Sequence, residues 1–151
     1  MEKINFIFFG TPYVASDTLE ILFSHGIVPS VIVTSPDRPS GRGMKMTSSP
    51  VKLWADANNI PVLQPEKLDE EFSSSLSPFA CPLAIVVAYG KIIPESIISS
   101  FPKGILNIHY SLLPKYRGAS PVESALLNND QETGITIQKM VYELDAGDIV
   151  S

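Results

Sequence analysis

Three features of the sequence predict a Rossmann-like α/β fold, in which helices cover both faces of a mostly parallel, twisted sheet. Short apolar runs rich in β-branched and aromatic residues recur along the chain, and segments with helical periodicity lie between several of them. The runs do not alternate with polar residues, as expected for strands that are buried on both faces. A length of 151 residues, with 44% hydrophobic and 18% charged residues, is typical of one globular core.

The predicted strands are spaced so that helices fit between several of them. They lie, in chain order, at residues 4–9, 31–34, 84–87, 105–108 and 135–141. The predicted helices are marked by apolar stripes formed by Leu19, Leu22 and Phe23, by Leu53, Trp54 and Ala57, and by Val122, Ala125 and Leu126. Ligands bind at the carboxyl ends of the strands in such sheets. We therefore expect the site among the loops that begin near Gly10, Ser35, Tyr89 and His109.

The loop after the first strand, within FFGTPYVAS, places a glycine between a strand and a helix. Pro12 and Ala15 stand where a dinucleotide-binding loop carries its second and third glycines, and Pro12 has no N–H group to offer a phosphate. Two interpretations stay open: a tight turn that enters a helix, or an anion or substrate contact at the helix N-terminus. The sequence lacks a G-x-x-x-x-G-K-[ST] run, which excludes a P-loop.

A basic segment at residues 36–52, PDRPSGRGMKMTSSPVK, contrasts with a net charge of −5 for the whole chain. Its charged residues are Asp37 and the four cations Arg38, Arg42, Lys45 and Lys52. Prolines and glycines break any helix here, and the segment is longer than an ordinary connection. It is either a solvated charged loop or a functional segment, and it is the one exception to a composition that disfavours nucleic acid.

The run NIHYSLLPKYRGASP ends a predicted strand with two polar residues, Asn107 and His109, that share one face of the strand. Burying an amide and an imidazole is costly without partners. Asn107 can donate to a developing oxyanion and His109 can carry a proton, provided that a stiff loop preorganises them. The other interpretation is a structural histidine whose hydrogen bonds are satisfied in a turn.

Two further candidates are weaker on sequence grounds alone. Asp145 and Asp148, in ELDAGD, form a β-turn, and their spacing matches neither a calcium loop nor a zinc site, so no metal is predicted. Asp145 could orient an imidazole, but spacing does not bring it to His109. Cys81 is the single cysteine and is expected to be an inert packed thiol.

The hydropathy of the chain and the residues near its ends bear on where in the cell the protein is expected. No apolar run approaches the roughly 20 residues that cross a bilayer, and MEKINFIFFG is too quickly broken for a signal peptide. We expect a cytoplasmic protein without membrane contact. The ending ELDAGDIVS turns into a strand that stops, so we expect a truncated domain in which the strand at 135–141 lacks a partner on one side.

Together the motifs resemble those of a known family. NIHYSLLPKYRG, followed by ETGITIQKM and LDAGD, resembles the signature of the folate-dependent formyltransferases, an Asn-x-His-x-Ser-Leu-Leu-Pro run with a later Asp. The motifs FFGTPYVAS, PDRPSGRG, SPVK and VVAYGKIIP extend the resemblance, in order and spacing, to the branch that formylates methionyl-tRNA. MKM stands where relatives often carry more basic residues.

The resemblance implies the formyltransferase fold and an activity. A formyl group would pass from 10-formyltetrahydrofolate to the amino group of methionine on initiator methionyl-tRNA, in translation initiation. Asn107 and His109 would hold the oxyanion, and Asp145 would orient His109 and help the amine to lose its proton. The folate would be bordered by Val87, Ala88, Tyr89, Gly90, Ser111, Leu112, Leu113 and Pro114, and the tRNA acceptor stem would be met by Arg38, Arg42 and Lys45.

The same resemblance implies a domain organisation. Residues 1–151 would be an N-terminal catalytic domain that is incomplete at its C-terminal end, with the C-terminal β-barrel domain of the family absent, and by itself inactive or nearly so. Neither a metal nor an obligatory protein partner is inferred. Two alternatives stay open: a sugar-nucleotide N-formyltransferase, which shares the Asn, His and Asp set, and a non-catalytic folate-binding or tRNA-binding domain.

Overall fold

The computed structural model describes residues 4–151. Its elements, in chain order, are β1 (Phe6–Gly10), α1 (Tyr13–Ser24), β2 (Val31–Val33), β3 (Arg38–Ser40), β4 (Lys45–Thr47), α2 (Pro50–Ala57), β5 (Val62–Leu63), α3 (Glu70–Leu76), β6 (Leu83–Val87), α4 (Glu95–Ile98), β7 (Ile105–His109), α5 (Pro121–Leu127) and β8 (Thr136–Lys139). A 3₁₀ turn at Ser77–Phe79 follows α3.

Six of these strands form one twisted sheet in the order β5-β2-β1-β6-β7-β8. All neighbours are parallel except β7 and β8, which run antiparallel. The chain leaves β1 toward β2 and β5 on one side, then crosses over to β6 and β7 on the other. The strand order thus reverses between β1 and β6. Ligands of such sheets usually bind near this point, at the carboxyl ends of the strands.

The sheet has a hydrophobic core on each face, because successive side chains of a buried strand point to opposite sides. Ile7 and Phe9 of β1 belong to one core cluster, and Phe6 and Phe8 belong to the other. All four are at most 1% exposed. The prediction of strands buried on both faces, in a mostly parallel Rossmann-like sheet, is confirmed.

The five predicted strands and three predicted helices are present, with ends that differ by a few residues. The strand predicted at 135–141 is shorter and spans Thr136–Lys139. The elements that the sequence analysis did not predict are the two-residue strand β5, the short helices α3 and α4, and the β3–β4 hairpin within the basic segment. The hairpin is antiparallel and separate from the main sheet.

The glycine loop after β1 is shaped by packing. A Cβ atom at Gly10 would lie 2.7 Å from both the Ala15 Cβ and the Phe8 ring, so only glycine fits between strand and helix. Helix α1 begins after Pro12, which provides no side-chain cap. These contacts explain why a glycine is needed at position 10. They agree with the first interpretation of this loop, a tight turn that enters a helix.

The last residues of the chain cover the outer edge of β8. The Lys139 N–H donates to the Asp148 carbonyl at 2.8 Å, and the Val150 N–H donates to the Ile137 carbonyl at 2.7 Å. The Ile137 N–H donates to the Ser151 carbonyl at 2.7 Å. The expectation of an unpaired edge on this strand is therefore wrong, because residues 148–151 fold back antiparallel along it.

None of the helices within residues 4–151 combines the length and the apolar character that crossing a membrane requires.

Candidate active site

A cleft of about 700 Å³ opens beside the carboxyl ends of β6 and β7. One wall follows β6 and is formed by residues 88–93, and the opposite wall is formed by residues 140–147. Apolar side chains make up much of both walls, including Ile92, Ile93, Met140, Val141 and Leu144. Polar side chains gather at its inner end, where Asn107, His109, Gln138 and Asp145 line it.

The strand β7 presents Asn107 and His109 to this cleft from the same face. Asn107 is paired across the sheet with Gln138 of β8, and His109 is paired with Thr136. The His109 side chain is 7% exposed and the Asp145 side chain is 6% exposed, so both polar groups are largely removed from water. The structure thus brings Asp145, which spacing alone could not join to the other two, beside Asn107 and His109.

Asp145 is held by hydrogen bonds to both of its carboxylate oxygens. Oδ1 accepts from Gln138 Nε2 at 2.9 Å, and Oδ2 accepts from the Gly118 N–H at 2.7 Å. Asn107 Nδ2 donates to Oδ1 at 3.5 Å, a distance that makes this hydrogen bond weak. Each of these neighbours is a donor, so the hydrogen bonds orient the Asp145 side chain through both of its oxygens.

The contacts of His109 determine which of its ring nitrogens is available to the cleft. Nε2 lies 2.8 Å from the carbonyl oxygen of Tyr116, and a carbonyl can only accept, so Nε2 carries a proton and donates it. Nδ1 lies 3.6 Å from Asp145 Oδ1. Nδ1 is therefore the nitrogen that is available to exchange a proton or a hydrogen bond with the carboxylate and the cleft.

The loop that carries Asp145 is tightly constrained. Asp145 has φ +49°, in the left-handed region that non-glycine residues occupy mainly when their surroundings impose it. Two residues later, a Cβ atom at Gly147 would fall on the Lys139 carbonyl, so the backbone of this loop lies directly against β8. The position of the carboxylate is thus set by backbone geometry as well as by hydrogen bonds.

The predicted folate-bordering residues occupy two different environments. Ala88, Tyr89 and Gly90 line the cleft. Among the described residues, the lining leaves out Val87, which is fully buried, and the segment 111–114. Ser111 is turned inward, where its hydroxyl donates to the Lys115 carbonyl at 2.6 Å.

Tyr89 contributes its backbone and its ring in different ways. Its carbonyl oxygen accepts a hydrogen bond from Thr11 Oγ1 at 3.0 Å, which fixes the loop after β6 to the loop after β1. Its ring packs edge to face on Phe9, with centroids 5.4 Å apart, and the residue is 2% exposed. The phenol oxygen finds no hydrogen-bond partner among the described residues. Burial raises the pKa of Tyr89 to about 12.

The three predicted tRNA-binding residues lie on or beside the exposed β3–β4 hairpin. Arg38 and Lys45 are in its strands, and Arg42 lies in the turn between them. Arg38 Nη2 donates to Glu66 Oε2 at 2.9 Å, an ion pair in which both side chains are about two-thirds exposed. The hairpin therefore presents its cations to solvent.

Several contacts at this site have no sequence signal. Gln138 was not predicted as a site residue, yet it is 2% exposed, donates to Asp145, and keeps its own Oε1 buried without a partner in the described part of the chain. The Tyr116 carbonyl and the Gly118 N–H are backbone atoms, so their residue types could not reveal them. Within residues 4–151, no group of three or more His, Cys, Asp and Glu side chains is arranged to hold a metal ion.

Comparisons with known proteins agree on the family. The family model described as "Formyl transferase" matches residues 2–151. Curated relatives named methionyl-tRNA formyltransferase include those of Buchnera aphidicola (45% identity over 152 residues, 100% of this chain and 48% of the relative), Desulfotalea psychrophila (45% over 150 residues, 99% and 46%) and Staphylococcus epidermidis (46% over 153 residues, 100% and 48%). The chain thus spans about half the length of the curated relatives it matches.

Solved structures agree on the fold. The phosphoribosylglycinamide formyltransferase of Bacillus halodurans superposes with a TM-score of 0.77 at 19% identity, covering 97% of this chain and 77% of that one. The enzyme of the same name from Anaplasma phagocytophilum gives a TM-score of 0.76 at 26% identity, covering 99% and 70%. With the family model matching nearly every residue, the chain belongs to the formyl transferase family.

Proposed function

We propose that the protein transfers a formyl group from 10-formyltetrahydrofolate to the amino group of methionine on initiator methionyl-tRNA, in the cytoplasm, during translation initiation. The observation that carries the proposal is the convergence of Asn107, His109 and Asp145 at the inner end of one cleft. The names and the 43–46% identity of the curated relatives support the choice of substrate.

The cleft fits a flat, largely aromatic donor. Its volume of about 700 Å³ is within the usual range for small-molecule sites, and its walls are mostly apolar with a few polar groups at one end. Ala88, Tyr89 and Gly90 would hold the donor from one side and residues 140–144 from the other. Val87, which is buried, would support this site from behind, whereas Ser111, Leu112, Leu113 and Pro114 lie outside the lining of the cleft. The bound donor supplies a formyl carbon that can be attacked by an amine.

Asn107 and His109 would stabilise the negative charge that develops on the formyl oxygen. The amide of Asn107 is only weakly engaged by Asp145 at 3.5 Å, so it can turn its N–H groups to a ligand. Nε2 of His109 is committed to the Tyr116 carbonyl at 2.8 Å, so Nδ1 is the nitrogen that would donate to the formyl oxygen, in the ring form that carries a proton on both nitrogens. The buried imidazole is held before the substrate arrives, as electrostatic stabilisation of a transition state requires, and the Asn107 N–H groups remain available beside it.

Asp145 would take up the proton that the attacking amine loses as its bond to the formyl carbon forms. That proton would pass to the donor nitrogen as the bond between this nitrogen and the formyl carbon breaks, so that tetrahydrofolate leaves as a neutral amine. Its Oδ1 lies 3.6 Å from His109 Nδ1, so the carboxylate also faces this side of the imidazole ring. Hydrogen bonds from Gln138 and Gly118 hold the carboxylate in place while it does so. One group would thus serve as proton acceptor and as the orienting partner of His109.

The β3–β4 hairpin would contact the acceptor stem of the tRNA. Arg38, Arg42 and Lys45 place three cations on one small antiparallel unit in a chain with a net charge of −5. Cations grouped on an exposed element can neutralise phosphates, whereas the remaining acidic surface would repel them. The hairpin therefore accounts for binding of a polyanion by an acidic protein.

The test is a formylation assay with charged initiator tRNA, the formyl donor and the longest natural form of the protein. A 4-amino sugar nucleotide is offered as a competing acceptor. Formyl transfer to methionyl-tRNA that the sugar nucleotide does not inhibit is the expected result. Transfer to the sugar nucleotide, or to neither acceptor with a folded protein, would overturn the proposal.

A further inference from the structure

The loop at residues 115–118 touches both partners of the proposed catalytic pair. Its Tyr116 carbonyl accepts from His109 Nε2 at 2.8 Å, and its Gly118 N–H donates to Asp145 Oδ2 at 2.7 Å. A shift of this loop would therefore change the orientation of the imidazole and of the carboxylate together.

We infer that Asp130 is a positioning residue that fixes His109 through Tyr116. The Tyr116 hydroxyl donates to Asp130 Oδ2 at 2.8 Å. The same residue, Tyr116, offers its carbonyl to His109. Asp130, just beyond the end of α5, is thus connected to the imidazole by one side-chain and one backbone hydrogen bond.

The backbone of Tyr116 needs such an anchor. Its φ is +56°, a left-handed conformation that is sterically unfavourable for a bulky residue and that persists only where the surroundings impose it. The preceding carbonyl, of Lys115, is held by the buried hydroxyl of Ser111 at 2.6 Å. The phenol of Tyr116 is held by Asp130. The first contact fixes the peptide group that precedes the strained Cα, and the second fixes the side chain on that Cα. Together they restrict the backbone of Tyr116 and so aim its carbonyl at His109.

Other observations agree with Asp130 as the anchor. Its side chain is only 21% exposed, so its hydrogen bond to Tyr116 is partly protected from water. Hydrogen bonding to Asp130 raises the pKa of Tyr116, which keeps the phenol protonated as the donor. Lys115 Nζ lies farther away, at 3.5 Å from the same carboxylate oxygen, and is 67% exposed.

The importance of His109 for catalysis rests on the proposed function. The positioning of His109 by Asp130 can be tested without measuring activity. The probe is the ring of His109 in the ¹⁵N-labelled 151-residue protein, observed by NMR. The rate at which its Nε2 proton exchanges with water reports how firmly the Tyr116 carbonyl holds it. His25, the other histidine of the chain, lies on the surface and is the internal reference.

The variants form a graded series. Tyr116→Phe removes the donor and Asp130→Ala removes the acceptor, and each is expected to speed exchange of the His109 proton about fivefold, the factor that corresponds to one ordinary hydrogen bond. Asp130→Asn keeps an acceptor and should stay near the unmodified protein. The matched control is Tyr13→Phe, which removes the phenol of an exposed tyrosine and should change nothing.

Unchanged exchange at His109 in both Tyr116→Phe and Asp130→Ala would overturn the inference. So would equal acceleration at His109 and His25, which would indicate general loosening of the fold. Faster exchange at His109 alone, with recovery in Asp130→Asn, supports it. If those variants then leave kcat for formyl transfer unchanged, the positioning of His109 stands and its proposed role in catalysis falls.

Discussion

Replacing Tyr89 by Phe should stabilise the protein, although Tyr89 is almost fully buried in the core. The ring makes the packing contacts, since it lies edge to face against Phe9 with centroids 5.4 Å apart. The hydroxyl makes no hydrogen bond within residues 4–151. Tyr89→Phe therefore removes a polar group without a partner and leaves the ring in place.

The size of the effect follows from the cost of an unsatisfied polar group. A buried hydroxyl without a partner costs about 1–3 kcal/mol, and a small empty space left by the oxygen offsets part of the gain. We expect Tyr89→Phe to raise the free energy of unfolding by about 1 kcal/mol. For a chain of this size, that corresponds to an increase in Tm of about 2–4 °C.

The same substitution should change how stability depends on alkaline pH. Burial raises the pKa of Tyr89 to about 12 from the usual 10. The unfolded chain therefore loses this proton at lower pH than the folded chain does. The contribution of Tyr89 is fully present below pH 10 and is lost as the pH rises through about 12. Tyr89→Phe should lose less stability than the unmodified protein over that interval.

Urea unfolding followed by circular dichroism, at neutral pH and at pH 10–12, measures both effects. Tyr116→Phe is the matched control, because the hydroxyl of Tyr116 donates to Asp130 at 2.8 Å. This control should lose stability instead of gaining it, because it removes a hydrogen bond that is made. A Tyr89→Phe protein that is less stable than the unmodified one would show that the hydroxyl has a partner and would refute the reasoning.

Three further predictions concern the proposed activity. Asn107→Ala and His109→Ala should each lower kcat about 100-fold or more in protein that still folds, because each removes a preorganised donor; near-normal turnover by folded protein would exclude that residue from the mechanism. Asp145→Asn keeps the shape but loses the charge, so it should be nearly as damaging and should alter the pH profile of kcat; an unchanged rate and profile would reduce Asp145 to a turn residue. Arg42→Ala should raise KM for tRNA and reduce the slope of log affinity against log salt by about 1, with the donor KM unchanged; a defect confined to the donor would contradict the assignment of the hairpin.

The sequence predicted the core of the fold because its strands carry unambiguous signals. Phe6, Phe8 and Phe9 of β1 form an apolar run that could be satisfied only by burial on both faces. Val62 and Leu63 of β5 are too few to form a recognisable pattern, and they become a strand only because β2 offers them an edge. Short elements of this kind depend on tertiary pairing, which local sequence does not encode.

The sequence predicted only part of the candidate site, because some of its contacts also depend on tertiary pairing. Asn107 and His109 could be paired from strand alternation, because both lie on β7. Asp145 joins them through the antiparallel pairing of β8, a contact between residues 38 positions apart that only the resemblance had implied. Gln138 gave no signal, because a lone glutamine in a strand is ordinarily a solvent-facing residue, whereas here it is buried against Asp145.

The return of residues 148–151 along β8 has a consequence for the entropy of the reaction. The segment between Lys139 and Asp148 is a closed loop, because the Lys139 N–H is bonded to the Asp148 carbonyl. Closing such a loop lowers the conformational entropy of the segment, and the chain loses this entropy once, when it folds. Asp145 then has few other positions to sample, so little freedom remains to be lost when a substrate binds. Cutting the backbone between Gly147 and Asp148 would leave every proposed catalytic side chain in the protein, yet it would open this loop, so the segment would have to be ordered again in each turnover.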